Sequence, residues 1–145
     1  MSDKPGVTIY TDGACQGNPG PGGWGVILRH GRHEKALSGG EKDTTNNRME
    51  LRAALEALKA LKEPCQVTLF TDSEYLKRGI TEWMPNWKRR NWRRKGGELA
   101  NVDLWMKLDE EISRHEISWR WVKGHAGNVM NERVDKLSRK AIPEA

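Results

Sequence analysis

Two short segments sixty residues apart repeat one order of residue types, and each ends its β-favouring run with an aspartate. They are Val7–Gly13 (VTIYTDG) and Val67–Ser73 (VTLFTDS). β-Branched and aromatic residues favour strands, and the small residue after each aspartate favours a turn. If the two strands are parallel neighbours, about 4.8 Å apart, Asp12 and Asp72 face the same way. Carboxylates that close share a proton or a divalent cation, so the pair is a candidate metal site; two structural turn aspartates are the alternative.

The length and composition predict one domain that spans residues 1–145. A chain of about 150 residues buries roughly 68–70% of its unfolded surface and needs no covalent cross-link. Two cysteines, Cys15 and Cys65, are too few for a disulfide framework. The amino terminus is polar, and no run approaches the roughly 20 apolar residues of a membrane-spanning helix. We therefore expect a reduced, cytoplasmic setting, no membrane, and a monomer by default.

The positive charge of the chain is concentrated in one segment. The net charge is +5, yet six basic residues and no acidic one lie between Met84 and Gly97, so the rest of the chain carries −1. Trp83, Trp87 and Trp92 are interleaved with these basic residues. Cationic and flat aromatic side chains together suit a nucleic-acid backbone and its bases. The alternative is a solvated helix whose tryptophans pack inward.

The order of predicted elements indicates a mixed α/β sheet with helices on its faces. A Gly- and Pro-rich stretch, 13–23, is predicted to be a loop after the first strand. Residues 24–29 and 33–38 form a hairpin, and a leucine-spaced helix follows a cluster of capping residues at 44–47. The second aspartate-bearing strand comes next. After it we predict helices at 73–80 and 102–113, a strand at 117–122 and a terminal helix from about 130 to 141.

Three further residues are candidates for chemistry, and each has a plainer alternative. Glu50 stands in the first turn of the long helix, where it could simply cap the helix and complement its dipole. Asp135 could form a surface ion pair with Arg139 at i+4. His125, between glycines, is a surface residue or a proton carrier. No histidine or cysteine spacing suits zinc, whereas an all-carboxylate set suits Mg²⁺ or Mn²⁺.

Several motifs together resemble bacterial-type ribonuclease HI, in that family's order and over nearly the whole chain. The motifs are Thr11-Asp12-Gly13 with its Gly-rich loop, Thr45–Glu50 (TNNRME), Thr71-Asp72-Ser73, the Trp83–Trp92 segment, Val122–Gly127 (VKGHAG) and Asn131–Asp135 (NERVD). The resemblance implies the ribonuclease H fold, a five-stranded mixed sheet whose first three strands are antiparallel. It also implies that the four acids converge on one site: Asp12, Glu50, Asp72 and Asp135.

The chemistry that this resemblance implies is hydrolysis of the RNA strand of RNA/DNA hybrids, with little sequence preference. The four carboxylates would hold two Mg²⁺ ions, with Mn²⁺ as a substitute; one ion would activate water and the other would stabilise the leaving 3′ oxygen. His125 would assist proton transfer or product release. The products would carry 5′-phosphate and 3′-hydroxyl ends.

The resemblance also assigns substrate contacts. Cys15, Asn18 and Asn46 would read the 2′-hydroxyls of the RNA strand. Thr45 with Asn18 would bind a DNA phosphate, and Trp83 with Asn47 would lie along the DNA strand. A basic handle at about 83–97 would grip the hybrid through Trp87, Lys88, Arg89 and Arg90. Glu74 departs from the family, which often has glutamine there, and an acceptor-only carboxylate changes what that position can contact.

Two other classes of function remain open from the sequence. The first is a catalytically silent protein that binds a hybrid or double-stranded RNA; the complete set of acids argues against it. The second is another nuclease of the same superfamily, such as an integrase or junction resolvase. The basic segment and the histidine loop favour ribonuclease H.

Overall fold

The computed structural model describes residues 4–93, 99–122 and 129–144. The strands are β1 (Gly6–Cys15), β2 (Gly20–His30), β3 (His33–Thr44), β4 (Gln66–Thr71) and β5 (Glu116–Trp121). The helices are α1 (Asn46–Lys59), α2 (Glu74–Arg78), α3 (Met84–Arg89), α4 (Val102–Arg114) and α5 (Val129–Lys140), and a π-helical segment, Gly79–Trp83, joins α2 to α3. Among the described residues, no helix is long and apolar enough to cross a bilayer.

The five strands form one mixed sheet in the order β3-β2-β1-β4-β5. β1, β2 and β3 pair antiparallel, whereas β4 pairs parallel with both β1 and β5. Tyr10 lies opposite Phe70, so the two strands with the repeated order of residue types are parallel neighbours in matching register. The predicted fold class and the predicted pairing of the two aspartate-bearing strands are both confirmed.

Side-chain alternation along the strands gives the sheet two different faces. Val7, Ile9, Val67 and Leu69 point into the main core, which they share with the leucines and alanines of α1 and with α4. α5 packs on the opposite face of β1 and β2, the face that carries Asp12. The helices therefore cover both faces of the sheet, as the pattern of elements predicts.

The predicted loop at 13–23 is wrong in extent. β1 continues through Cys15 and β2 begins at Gly20, which leaves only 16–19 as the connection. These strand positions are glycines because α1 and α5 pack so closely on the sheet that a side chain would not fit. A Cβ on Gly13 would clash with the backbone of α1, and one on Gly23 would clash with the backbone of α5. These glycines let α1 and α5 bring their side chains to the end of β1.

α1 begins where its capping residues predict, and the cap is Thr45. The Thr45 hydroxyl accepts a hydrogen bond from the Arg48 N–H at 3.2 Å. This bond satisfies one of the free N–H groups of the first turn. The plainer role considered for Glu50, helix capping, is thus filled by another residue.

Candidate active site

Three carboxylates from three separate segments meet at the carboxyl ends of β1 and β4. Asp12 lies in β1 and Asp72 follows β4 directly. Glu50 comes from the second turn of α1, one turn later than the sequence predicts, because the helix begins at Asn46. Each offers an oxygen, and these oxygens all lie within 4.8 Å of one another. Asp12 and Glu50 are buried, and Asp72 is half-buried. The predicted convergence of these three acids is what the structure shows.

The crowding of these acids disfavours their ionised forms. Burial, and next the charge of Asp72, raises the pKa of Asp12 to about 7. Burial, followed by the charges of Asp12 and Asp72, raises the pKa of Glu50 well above its usual value. The Gly13 N–H donates to both carboxylates and opposes these effects only in part. The site therefore favours any ligand that supplies positive charge.

The donor chemistry of the cluster fits a hard divalent cation. Among the described residues, Asp12 Oδ2 and Glu50 Oε2 are buried and have no hydrogen-bond partner. A buried acceptor without a partner is costly, and metal coordination would satisfy it. The set contains only oxygen ligands, which suits Mg²⁺ or Mn²⁺ better than zinc. These residues fit the divalent ions that the family resemblance implies.

Asp135 reaches the same cleft from α5. Asp12 and Asp135 line this cleft together, and the negative charge of Asp135 contributes to the raised pKa of Asp12. Arg139 also pairs with Asp135 at 3.0 Å, so the predicted i+4 ion pair forms as well. The four acids thus line one cleft of about 700 Å³. Arg139 lines this cleft too.

The Gly-rich connection and the start of α1 form one wall of this cleft. Cys15, Asn46, Asn47 and Glu74 all line it. Asn18 accepts a hydrogen bond from the Asn46 N–H at 3.1 Å, which ties the connection to the helix. Cys15 and Cys65 are both free, in keeping with the prediction of no disulfide. Two of the three candidate RNA-contacting residues, Cys15 and Asn46, therefore line the same cleft as the acids.

The described part of the basic handle runs along α3 and projects its cations outward. Lys88, Arg89 and Arg90 are exposed; Lys88 pairs with Asp109 at 3.3 Å, and Arg89 donates to Asn86. Arg93 is exposed as well, and the last two basic residues of the predicted handle, Arg94 and Lys95, lie outside the described residues.

The sequence allows the tryptophans of this segment either to contact nucleic acid or to pack inward, and the structure differs from one tryptophan to another. Trp87 and Trp92 pack against the hydrophobic core, so inward packing is correct for them. Trp83 is half-buried and meets the ring of Tyr75 edge-on, with centroids 5.6 Å apart. Because Tyr75 lines the cleft, Trp83 extends an aromatic surface away from the acids.

Sequence reasoning missed Tyr75, Arg139 and Arg48 as residues of this region. Tyr75 is the second residue of α2 and follows Asp72 by three positions, and this proximity in the chain could have indicated it. For Arg139 the sequence predicts only a surface ion pair with Asp135. Arg48 had no local signal, because its side-chain hydrogen-bond partners lie 53 and 55 positions away in the chain and its other ion-pair partner, Glu41, lies in β3. His125, a predicted catalytic residue, lies outside the described residues.

Comparison with known proteins agrees with this geometry. The family model of RNase H matches residues 4–143. Ribonuclease H of Hahella chejuensis is 61% identical over 140 residues, which cover 96% of this chain and 95% of that protein. Ribonuclease HI of Pseudomonas aeruginosa strain PAO1 is 56% identical over 145 residues, with 99% and 98% covered.

Solved structures agree with the sequence relatives. LC9-RNase H1, a type 1 RNase H with the type 2 active-site motif, superposes with a TM-score of 0.89 at 35% identity, covering 98% of this chain and 74% of that one. LC11-RNase H1, solved in complex with an RNA/DNA hybrid, gives a TM-score of 0.70 at 26% identity, covering 94% and 96%. The fold, the acid cluster and these relatives together show that the chain belongs to the ribonuclease H family of endoribonucleases.

Proposed function

We propose that this chain hydrolyses the RNA strand of RNA/DNA hybrids as an endonuclease, with little sequence preference and with 5′-phosphate and 3′-hydroxyl products. The observation that carries the proposal is the cluster of Asp12, Glu50 and Asp72, with oxygens within 4.8 Å at the floor of an open cleft. Family membership supports the reaction class, and the hybrid bound to LC11-RNase H1 supports the substrate class.

The four carboxylates would hold two Mg²⁺ ions, with Mn²⁺ as a substitute. When bound, such ions supply a nucleophile at neutral pH and stabilise charge on the phosphate and the leaving oxygen. The raised pKa values of Asp12 and Glu50 express how strongly the site favours added positive charge. Asp135 would complete the set from α5, where Arg139 orients its carboxylate.

The remaining residues would position the hybrid and move protons. Asn46 and Cys15 line the cleft beside the acids. There they would exchange hydrogen bonds with the 2′-hydroxyls of an RNA strand. Thr45 and Asn18 would bind a DNA phosphate, while Asn47 and the aromatic surface at Trp83 would lie along the DNA strand.

Long-range attraction and proton transfer fall to other parts of the chain. Lys88, Arg89 and Arg90 are exposed on the handle and would attract the phosphates of the duplex. His125 would carry a proton or aid product release, as imidazole groups do near neutral pH. We further expect the protein to act as a monomer in the cytoplasm.

Cleavage of end-labelled duplexes tests the proposal directly. An RNA/DNA hybrid, an RNA/RNA duplex and a DNA/DNA duplex are each incubated with Mg²⁺ and, separately, with EDTA. We expect cuts only in the RNA strand of the hybrid, and none in EDTA. The Asp12→Asn variant should lose this turnover yet still bind the hybrid. Glu110→Gln, which makes the same carboxylate-to-amide change on the exposed side of α4, should cut normally.

The other outcomes separate the rival functions. Binding of the hybrid by the wild type without any cut would favour the silent binder. Cutting of DNA duplexes would favour an integrase or resolvase activity. Full activity of Asp12→Asn would contradict the assignment of this acid to the metal site.

A further inference from the structure

A hydrogen-bonded network lies beside the acid cluster and contains none of its members. It begins at Arg48, in the first turn of α1. The guanidinium makes a two-pronged contact with Asp103 of α4, with Nη1–Oδ1 at 3.0 Å and Nη2–Oδ2 at 2.7 Å. Nη1 also donates to the Asn101 side-chain oxygen at 3.3 Å. One side chain thus links the start of α1 to the start of α4.

Asn101 carries the network onward to the cleft. Its amide nitrogen donates to the hydroxyl of Tyr75 at 3.1 Å, and the Trp105 indole donates to the same oxygen at 3.2 Å. Asn101 is the first residue before α4, a position where asparagine commonly caps the helix, yet its side chain makes no capping bond. Its backbone is left-handed, with φ of 59°. The asparagine side chain therefore binds Arg48 and Tyr75 instead of capping its own helix.

One end of the network lies in the cleft, and the other lies beside residues that line it. Arg48 follows Asn46 and Asn47 directly and precedes Glu50 by two residues. Tyr75 itself lines the cleft and meets Trp83 edge-on. The network consequently sets the spacing between the start of α1 and the aromatic surface formed by Tyr75 and Trp83.

We propose that Arg48 is a positioning residue for hybrid binding. Through Asn101 and Tyr75 it holds the aromatic surface at the distance from α1 that lets both strands of one hybrid engage together. This inference rests on the proposed function, because it assigns the DNA strand to the aromatic surface and the RNA strand to the acids. Arg48 itself touches neither the acids nor, in this proposal, the substrate.

The chemistry of the guanidinium explains why arginine stands at this position. Its planar fork can bind the Asp103 carboxylate with two nitrogens while one of them also reaches Asn101. A lysine would keep the charge but offers a single nitrogen, so it cannot hold both partners in this geometry. Arg48→Lys therefore removes the link without removing the charge.

Steady-state kinetics on a hybrid of fixed sequence tests the proposal. The variants are Arg48→Lys and Tyr75→Phe, which keeps the ring and removes only the hydroxyl oxygen that accepts both N–H bonds. Assays run well below the melting temperature of every variant, with the folded fraction checked by circular dichroism. We expect KM to rise about 3- to 10-fold in each, as the loss of one or two hydrogen bonds implies, while kcat stays within about 2-fold.

A matched control and a double variant sharpen the result. Arg52→Ala removes another arginine–carboxylate pair of α1, the one with Glu56 at 3.4 Å, outside the network; KM should not change. The double variant Arg48→Lys/Tyr75→Phe should have a KM close to that of the more impaired single variant, because both break one linked path.

Each alternative outcome has a definite meaning. A lower melting temperature with unchanged KM in both variants would make the network merely structural and overturn the proposal. Effects on KM that multiply in the double variant would overturn the linkage between Arg48 and Tyr75. If the wild type does not cut the hybrid, the proposed function itself fails, whereas normal wild-type cleavage with unaltered variants refutes only the role of Arg48.

Discussion

At the scale of single residues, the site is built from carboxylates whose negative charges repel one another in the absence of a cation. Asp12 is buried beside Asp72, and burial is the larger cause of its raised pKa of about 7. A folded state that holds a proton more tightly than the unfolded chain gains stability as the pH falls. The metal-free protein should accordingly lose stability as the pH rises from about 4, where the unfolded carboxyl ionises, to about 7, where the folded one does. The architecture that favours a metal thus weakens the protein without one.

Removing one of these charges should stabilise the metal-free protein. For Asp12→Asn in EDTA at pH 8, we expect the free energy of unfolding to rise by about 1–3 kcal/mol. The gain should shrink near pH 5.5, where the wild-type carboxyl is protonated. Urea unfolding at both pH values measures it, with Glu110→Gln as the control. A loss of stability, or an equal gain at both pH values, would contradict the electrostatic account.

At the scale of elements, the handle is anchored by aromatic packing on a glycine. The π-helical segment begins at Gly79, and the ring of Trp105 from α4 lies where a side chain on Gly79 would point. Trp105 is fully buried and also contacts Tyr75 and Trp87. The direction in which α3 leaves α2 is therefore set by the close approach of one ring to one backbone position.

Adding a methyl group at Gly79 should disturb this contact. A Cβ there would overlap the Trp105 ring, so we expect Gly79→Ala to lower the free energy of unfolding by about 1–3 kcal/mol, as overpacking does. Gly6→Ala is the matched control, since nothing lies within 4 Å of its Cβ position, and it should change stability by less than about 0.5 kcal/mol. Thermal and urea unfolding would measure both. Equal stability of the two variants would mean that the ring moves aside freely.

At the scale of the whole molecule, positive and negative charge are separated. The acids converge at the carboxyl ends of β1 and β4, whereas the concentrated cations lie on the handle. Electrostatic attraction to the handle would bring the phosphate backbone of a duplex close to the acids. Such long-range attraction weakens with salt, since binding releases counterions from the phosphates.

The salt dependence of hybrid binding should report the handle. Replacing Lys88, Arg89 and Arg90 with alanine should weaken binding and reduce the slope of log affinity against log salt by up to about 0.9 for each phosphate that the handle no longer neutralises. Fluorescence anisotropy in the Asp12→Asn background would measure affinity without cleavage. Alanine at three exposed lysines elsewhere, Lys35, Lys59 and Lys107, makes the same change in net charge and should barely alter the slope. Equal slopes for both triple variants would reduce the handle to a solvated surface.

The sequence by itself determined the features whose cause is local or repeated. The matched strands carrying Asp12 and Asp72 indicated a parallel pair, because side-chain alternation and turn residues act over a few positions. The basic segment and the leucine stripe of α1 could be recognised for the same reason. The approach of Glu50 and Asp135 to that pair needed the family resemblance, since spacing along one helix does not say what the helix faces.

Only the tertiary structure decided which groups share an environment. It raised the pKa of Asp12 through burial, packed Trp87 into the core while leaving Trp83 beside the cleft, and joined Arg48 to Asn101 and Tyr75. These relations link residues many positions apart, where no local periodicity constrains them. Burial and long-range hydrogen bonds arise when packed elements exclude water, and that happens only once the chain has folded.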